Sequence, residues 1–133
     1  VTGFLKSYAD IRTSDGRNAT LLQPIYFQRP DAVGGDIYKV PVGATTDGGS
    51  EPPIFWPIGF APFGSDTWLG YLLHDAAFRG TIVPLVTEFE VANLLLYEAL
   101  SCLGCAEFKR RAIYAGVTSK AGRAVWDDYR RTE

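Results

Sequence analysis

The sequence predicts an α+β domain: a small antiparallel sheet built on an N-terminal β-hairpin, a long Gly/Pro/aromatic loop, then three to four helices packed together. Three observations carry this reading. β-branched and aromatic residues gather in short runs before residue 43. A glycine- and proline-rich stretch interrupts the chain at Gly43–Gly64. Beyond it, apolar residues recur at helical spacing. The 133 residues fit one domain, and an apolar content of 47% supplies a core without disulfide or metal staples.

The first elements are strands. Leu21–Phe27 (LLQPIYF) and Asp36–Val42 (DIYKVPV) have strand composition, and the intervening QRPDAVGG has turn composition. A hairpin is the simplest arrangement, with Gly3–Tyr8 as a third strand. Pro24 suits an edge or a bulge, because it has no N–H to donate.

Gly43–Gly64 contains five glycines and four prolines, which excludes regular helix. It also carries Ile54, Phe55, Trp56, Ile58, Phe60 and Phe63. A long loop with this many large apolar groups either packs onto its own domain or forms a contact surface.

Helices follow. Ser65 or Asp66 is placed to cap a helix over Thr67–Arg79. Thr87 and Glu90 match a capping box for a second helix reaching Leu103, with Gly104 as its stop and Val91, Leu94, Leu95, Ala99 and Leu103 as its apolar stripe. A third, over Ala106–Thr118, is expected to turn Phe108, Ala112, Ile113 and Ala115 inward and Lys109, Arg110 and Arg111 outward. A last short helix is expected around Trp126.

A net charge of −2 lacks the basic excess of a dedicated nucleic-acid binder, so no nucleic-acid partner is expected. Basic residues crowd the C-terminal third among interspersed acids, as on a solvated helix face; a contact with anionic lipid or another protein is the other reading. Cys102 and Cys105 fall short of a four-ligand zinc site and close a helix rather than open one, so two small buried thiols are expected. No run approaches the roughly 20 apolar residues of a membrane span, and the opening residues do not read as a signal peptide. Synthesis in the cytoplasm is the expectation.

His74 is the sole histidine, so any imidazole chemistry rests on it. At helical spacing it shares a face with Gly70, Tyr71, Ala77 and Phe78. Held by an acceptor, such a ring is a neutral general base; otherwise it is a hydrogen-bonded core histidine. Asp75 points about 100° away, able to bind a cation or to pair with Arg79. Asp47 lies in TTDGGS with Thr45, Thr46 and Ser50. The segment is either a source of oxygen ligands for a hard cation such as calcium, together with Asp75, or a side-chain-capped turn. Glu51 adds a second carboxylate.

The ordered segments VPVGATTDGGSEPPIFWPI, LLHDAAFRG, EVANLLLYEALSCLG and IYAGVTSKAGRAVW resemble a family of small phage and prophage proteins named only as a domain of unknown function. That family shows a valine-proline-x-glycine strand end, a TD-x-x-S-x-P loop, an HD-x-x-Y helix, a later helix with an Asp, and a glycine-and-tryptophan tail. The resemblance covers Tyr38 to Trp126. It implies a phage or prophage origin; other phage or virion proteins as partners, and incorporation into the virion, are the expectations that go with a structural role.

A fainter similarity is to the secreted-type phospholipases of bacteria and fungi, through Asp47-Gly48-Gly49-Ser50 and His74-Asp75-Ala76-Ala77-Phe78-Arg79. It implies that His74 activates a water while Asp75 and loop carbonyls near Asp47 hold calcium against an ester carbonyl, with lipid or cell-envelope material as substrate. Phe78 replaces the usual Tyr, Asn93 stands where both patterns have an Asp, and the phospholipase disulfides are absent. These departures favour a virion or tail-associated interaction protein. In it, Ile54, Phe55, Trp56 and Phe60 form the contact and His74–Asp75 tie loop to helix. The calcium-assisted hydrolase is the alternative.

Overall fold

The computed structural model of the chain describes residues 3–5, 11–13, 19–46 and 67–131. Their architecture is α+β: short antiparallel strands, then four helices. The strands are β1 (Gly3–Phe4), β2 (Ile11–Thr13), β3 (Ala19–Leu21), β4 (Ile25–Gln28), β5 (Ile37–Val40) and β6 (Thr45–Thr46). They form two three-stranded sheets in the orders β1-β4-β5 and β2-β3-β6.

The expected hairpin is β4–β5, registered Ile25 to Val40 and Gln28 to Ile37, with a short 3-10 turn at Asp31–Val33 between them. The expected third strand is β1, which pairs with β4. LLQPIYF is not one strand. It breaks before Ile25: Leu21 ends β3 in the second sheet, and Pro24 sits at the corner between sheets. A missing N–H costs nothing at such a corner. The second sheet was not foreseen. Its closing strand, β6, is the Thr45–Thr46 pair from the start of the Gly-rich loop, which bonds to Ala19 and Thr20.

Helices α1 (Trp68–Arg79), α2 (Phe89–Cys102), α3 (Glu107–Val117) and α4 (Lys120–Arg131) follow. α1 stops at Gly80, whose φ of 76° suits glycine. At the end of α2, Gly104 N–H bonds Ser101 C=O and Cys105 N–H bonds Leu100 C=O. With Gly104 at φ 81°, this is a Schellman stop. The capping box at the start of α2 does not form: the cap residue is Glu88 and no side chain caps the turn. The proposed α1 caps, Ser65 and Asp66, lie outside the described residues. α4 is capped by Ser119, whose Oγ accepts from Gly122 N–H at 3.3 Å.

Leu21, Phe27 and Val40 from the strands meet Leu69, Leu72 and Leu73 of α1 and Ala92, Leu95 and Ala99 of α2 in the main core. Each large apolar side chain buried there contributes roughly 1.5–3 kcal/mol. A smaller cluster of Tyr71, Leu96, Leu100, Cys105 and Ile113 joins α1, α2 and α3. Arg29 spans the sheet–helix boundary with a two-pronged bond to Glu98, 2.9 and 2.7 Å.

Two helix faces depart from the expected stripes. On α2, Leu94 is exposed and the inward set is Ala92, Asn93, Leu95, Leu96, Ala99 and Leu100. On α3, Ile113 is buried as expected, but Phe108 is 69% exposed, Ala112 and Ala115 are exposed, and Lys109 is buried. α3 packs on α2 through Lys109 and Ile113, so the side chain with the longer flexible stem lies against the core. Cys102 is exposed, contrary to the expectation of two buried thiols; Cys105 is buried, and both are free.

Candidate functional site

His74 is placed by how closely α1 and α2 approach. A Cβ on Gly70 would lie 3.2 Å from Leu100 and 3.3 Å from Leu96. Glycine therefore sets the separation one turn before His74. On the facing helix, Asn93 lies one turn before Leu96 and is wholly buried. At this spacing His74 Nε2–H donates to Asn93 Oδ1 at 2.9 Å.

The bond fixes the tautomer: with the proton on Nε2, the lone pair is on Nδ1. Burial pushes the imidazole from its usual 6.5 down to about 4, and the Asn93 hydrogen bond opposes that shift only in part. At neutral pH His74 is uncharged. Asn93 Nδ2 is buried without a partner among the described residues.

Phe78, one turn after His74, lies against the ring with centroids 4.2 Å apart. Trp126 of α4 meets Phe78 edge-on at 5.2 Å, and Phe89 stands 6.0 Å from Phe78. Phe78 is thus the middle of an aromatic wall that seals the imidazole. Arg130 stacks over Trp126 at 4.1 Å and donates to Ala77 C=O at 3.1 Å and Val86 C=O at 2.6 Å, fastening α4 across the end of α1.

Asp75 is half-buried on the next flank of α1. Arg79 reaches across to β6, where it donates to Thr45 C=O at 3.3 Å and to Thr45 Oγ1. The start of the Gly-rich segment is therefore held to the last turn of α1, one turn beyond Asp75. Thr46 belongs to β6 by its backbone. Asp47, Ser50, Glu51, Ile54, Phe55, Trp56 and Phe60 lie outside the described residues. Among the described residues, no group of three or more His, Cys, Asp or Glu side chains could hold a metal.

Sequence reasoning named His74, Phe78 and Asn93 but read Asn93 as the loss of a partner. The structure makes it the partner. Trp126 and Arg130 were not connected to the site, since nothing in their local pattern shows that α4 folds back over α1. Their one signal was a lone tryptophan at the centre of a helix rich in charged residues.

Fold and site together define a small α+β domain with a neutral histidine–asparagine pair between two helices, closed by aromatic rings. The chain belongs to the family described as protein of unknown function (DUF1353), whose model matches residues 19–117, well over half of its length. The match takes in β3 to α3 and leaves α4 outside. No curated protein and no solved structure matches.

Proposed function

We propose that this protein is a phage-derived, virion- or tail-associated interaction module that keeps the histidine helix as a structural tie. The carrying observation is the state of His74: buried, neutral, held by an amide and covered by Phe78. A ring whose conjugate acid has a pKa of about 4 is a feeble proton acceptor at neutral pH. An asparagine carries no charge to stabilise an imidazolium as a carboxylate does. Phage origin is supported by the order of sequence motifs, and a partner-binding role by the aromatic loop and by apolar surface on the sheet. The expected partners are other virion proteins.

The test is mass spectrometry of particles purified from an induced host carrying the gene. Stoichiometric presence is expected; absence from particles, with the protein abundant in the lysate, refutes the reading.

The second reading, a calcium-assisted ester hydrolase acting on lipid or envelope material, is favoured by one observation: Asn93 fixes the tautomer that leaves Nδ1 free to take a proton. Asp75 and Asp47 would hold the calcium. Calcium-dependent release of fatty acid from phospholipid vesicles, lost in His74→Gln, would establish it. Equal background rates for the two proteins would end it.

A further inference from the structure

α4 is held to the domain far more lightly than α1. Of its twelve residues α1 buries nine, whereas α4, equally long, buries Trp126 alone. Gly122, Tyr129 and Arg130 are half-buried beside it, and the rest of the helix is exposed.

The bonds that shape α4 are local. Ser119 Oγ donates to Gly116 C=O at 2.6 Å and accepts from Gly122 N–H, and Arg123 N–H donates to Ser119 C=O at 2.9 Å. Arg123 pairs with Asp127, and Arg131 with Asp128, within the helix itself. None of these is broken when α4 moves off α1.

Among the described residues, the contacts that would break lie on one stripe of α4. Trp126 meets Phe78 at 5.2 Å and Phe89 at 6.1 Å. Arg123 stands over Phe89 at 5.2 Å, and Tyr129 lies under Arg79 at 5.8 Å. Arg130 gives its two bonds to Ala77 C=O and Val86 C=O. Water replaces hydrogen bonds of that kind at small net cost. The indole is the one large apolar group returned to solvent. Behind Phe78 and the imidazole, Asn93 Nδ2 is buried without a partner among the described residues. An unmade bond there is a cost of the closed form, which water reaching the amide removes.

We infer that α4 is a lid: it undocks and redocks as a unit while the sheet, α1 and α2 stay folded, and its open form uncovers Phe78, Phe89 and the His74–Asn93 pair. Elements with few buried contacts open locally, below the free energy of global unfolding. The open form is expected in about 0.1–1% of molecules. The inference goes beyond both readings of function, because a partner and an ester alike reach this end of α1 only when α4 is lifted.

Native-state hydrogen exchange and diethyl pyrocarbonate modification of the whole chain, in rising sub-denaturing urea, test it together. An undocked helix of this length is marginal in water, so its amides exchange at each opening. The Trp126 and Tyr129 amides should exchange at least tenfold faster than those of Leu72 and Leu95, with a shallow dependence on urea. His74, followed by peptide mass, should be modified about 100–1,000-fold more slowly than free imidazole, in step with the α4 amides. Arg130→Met should speed both by the same factor, about tenfold. Ile25→Val, in β4 and outside the docking stripe, should speed the Leu72 and Leu95 amides and leave α4 and His74 unchanged.

A common rate and urea slope for α4 and the core would place the helix in the global folding unit and overturn the inference. So would an Ile25→Val variant in which all the rates rise together. Fast exchange in α4 with His74 modified only on global unfolding would show that the helix opens but covers nothing, and the lid would fall with it.

Discussion

A neutral histidine buried against an amide carries a pH signature. His74 has a folded pKa of about 4 against an ordinary 6.5, so below 6.5 the unfolded chain binds a proton that the folded chain refuses. Stability is complete above that value, falls as pH drops, and levels off once the folded ring titrates. The loss over this window is about 3 kcal/mol. Urea titrations between pH 7.5 and 4 should show the decline, and His74→Gln should flatten it; parallel curves for the two proteins contradict the assignment. Asn93→Asp should move the ring the other way, since a carboxylate at 2.9 Å stabilises the imidazolium. NMR titration of the imidazole should place its midpoint at least one unit above that of the wild type, with the proton still on Nε2. A midpoint unchanged by the carboxylate would mean that Asn93 does not face the ring in solution.

At the scale of elements, two glycines set how helices meet. A methyl group on Gly70 would crowd Leu96 and Leu100, both wholly buried, so those side chains or α1 itself must give way. Alanine in a helix gains about 1 kcal/mol, while overpacking costs about 1–3 kcal/mol. Gly70→Ala should therefore destabilise slightly and lengthen the His74–Asn93 bond. Gly122 is stricter: a Cβ there would fall 2.0 Å from Val117 C=O, which no side-chain adjustment relieves. Gly122→Ala should cost about 3 kcal/mol and loosen α4, seen as lost near-ultraviolet ellipticity with helical content retained. The sequence made α1 legible through its helical spacing and its single histidine. It made the β4–β5 hairpin legible through strand composition on either side of a turn. The second sheet was hidden because its strands are two or three residues long, too short for a period to show. The face of α3 was misread because a lysine stem covers apolar surface as well as a leucine does. Asn93 was misjudged because a hydrogen bond between helices depends on their separation, which Gly70 sets and no local pattern reveals.

For the whole molecule, the arrangement makes α4 the cover of the site, although it lies beyond the family match. Trp126 touches Phe78, Phe78 touches His74, and Arg130 fastens α4 to carbonyls of α1 and of the segment before α2. Burial is the main cause of the depressed imidazole pKa, so removing the cover should act on a ring that it does not touch. Trp126→Ala opens space beside Phe78 and should cost about 3–5 kcal/mol. It should also let the His74 pKa rise toward 6.5 and make the ring reactive toward diethyl pyrocarbonate. Arg130→Met keeps much of the stacking bulk and removes the bonds to Ala77 and Val86, so it should loosen α4 with a smaller change at His74. The two variants separate sealing by the aromatic wall from attachment by the guanidinium. A Trp126→Ala protein that stays folded with His74 still unreactive and its titration unmoved would show that α2 alone buries the ring and that α4 has no part in the site.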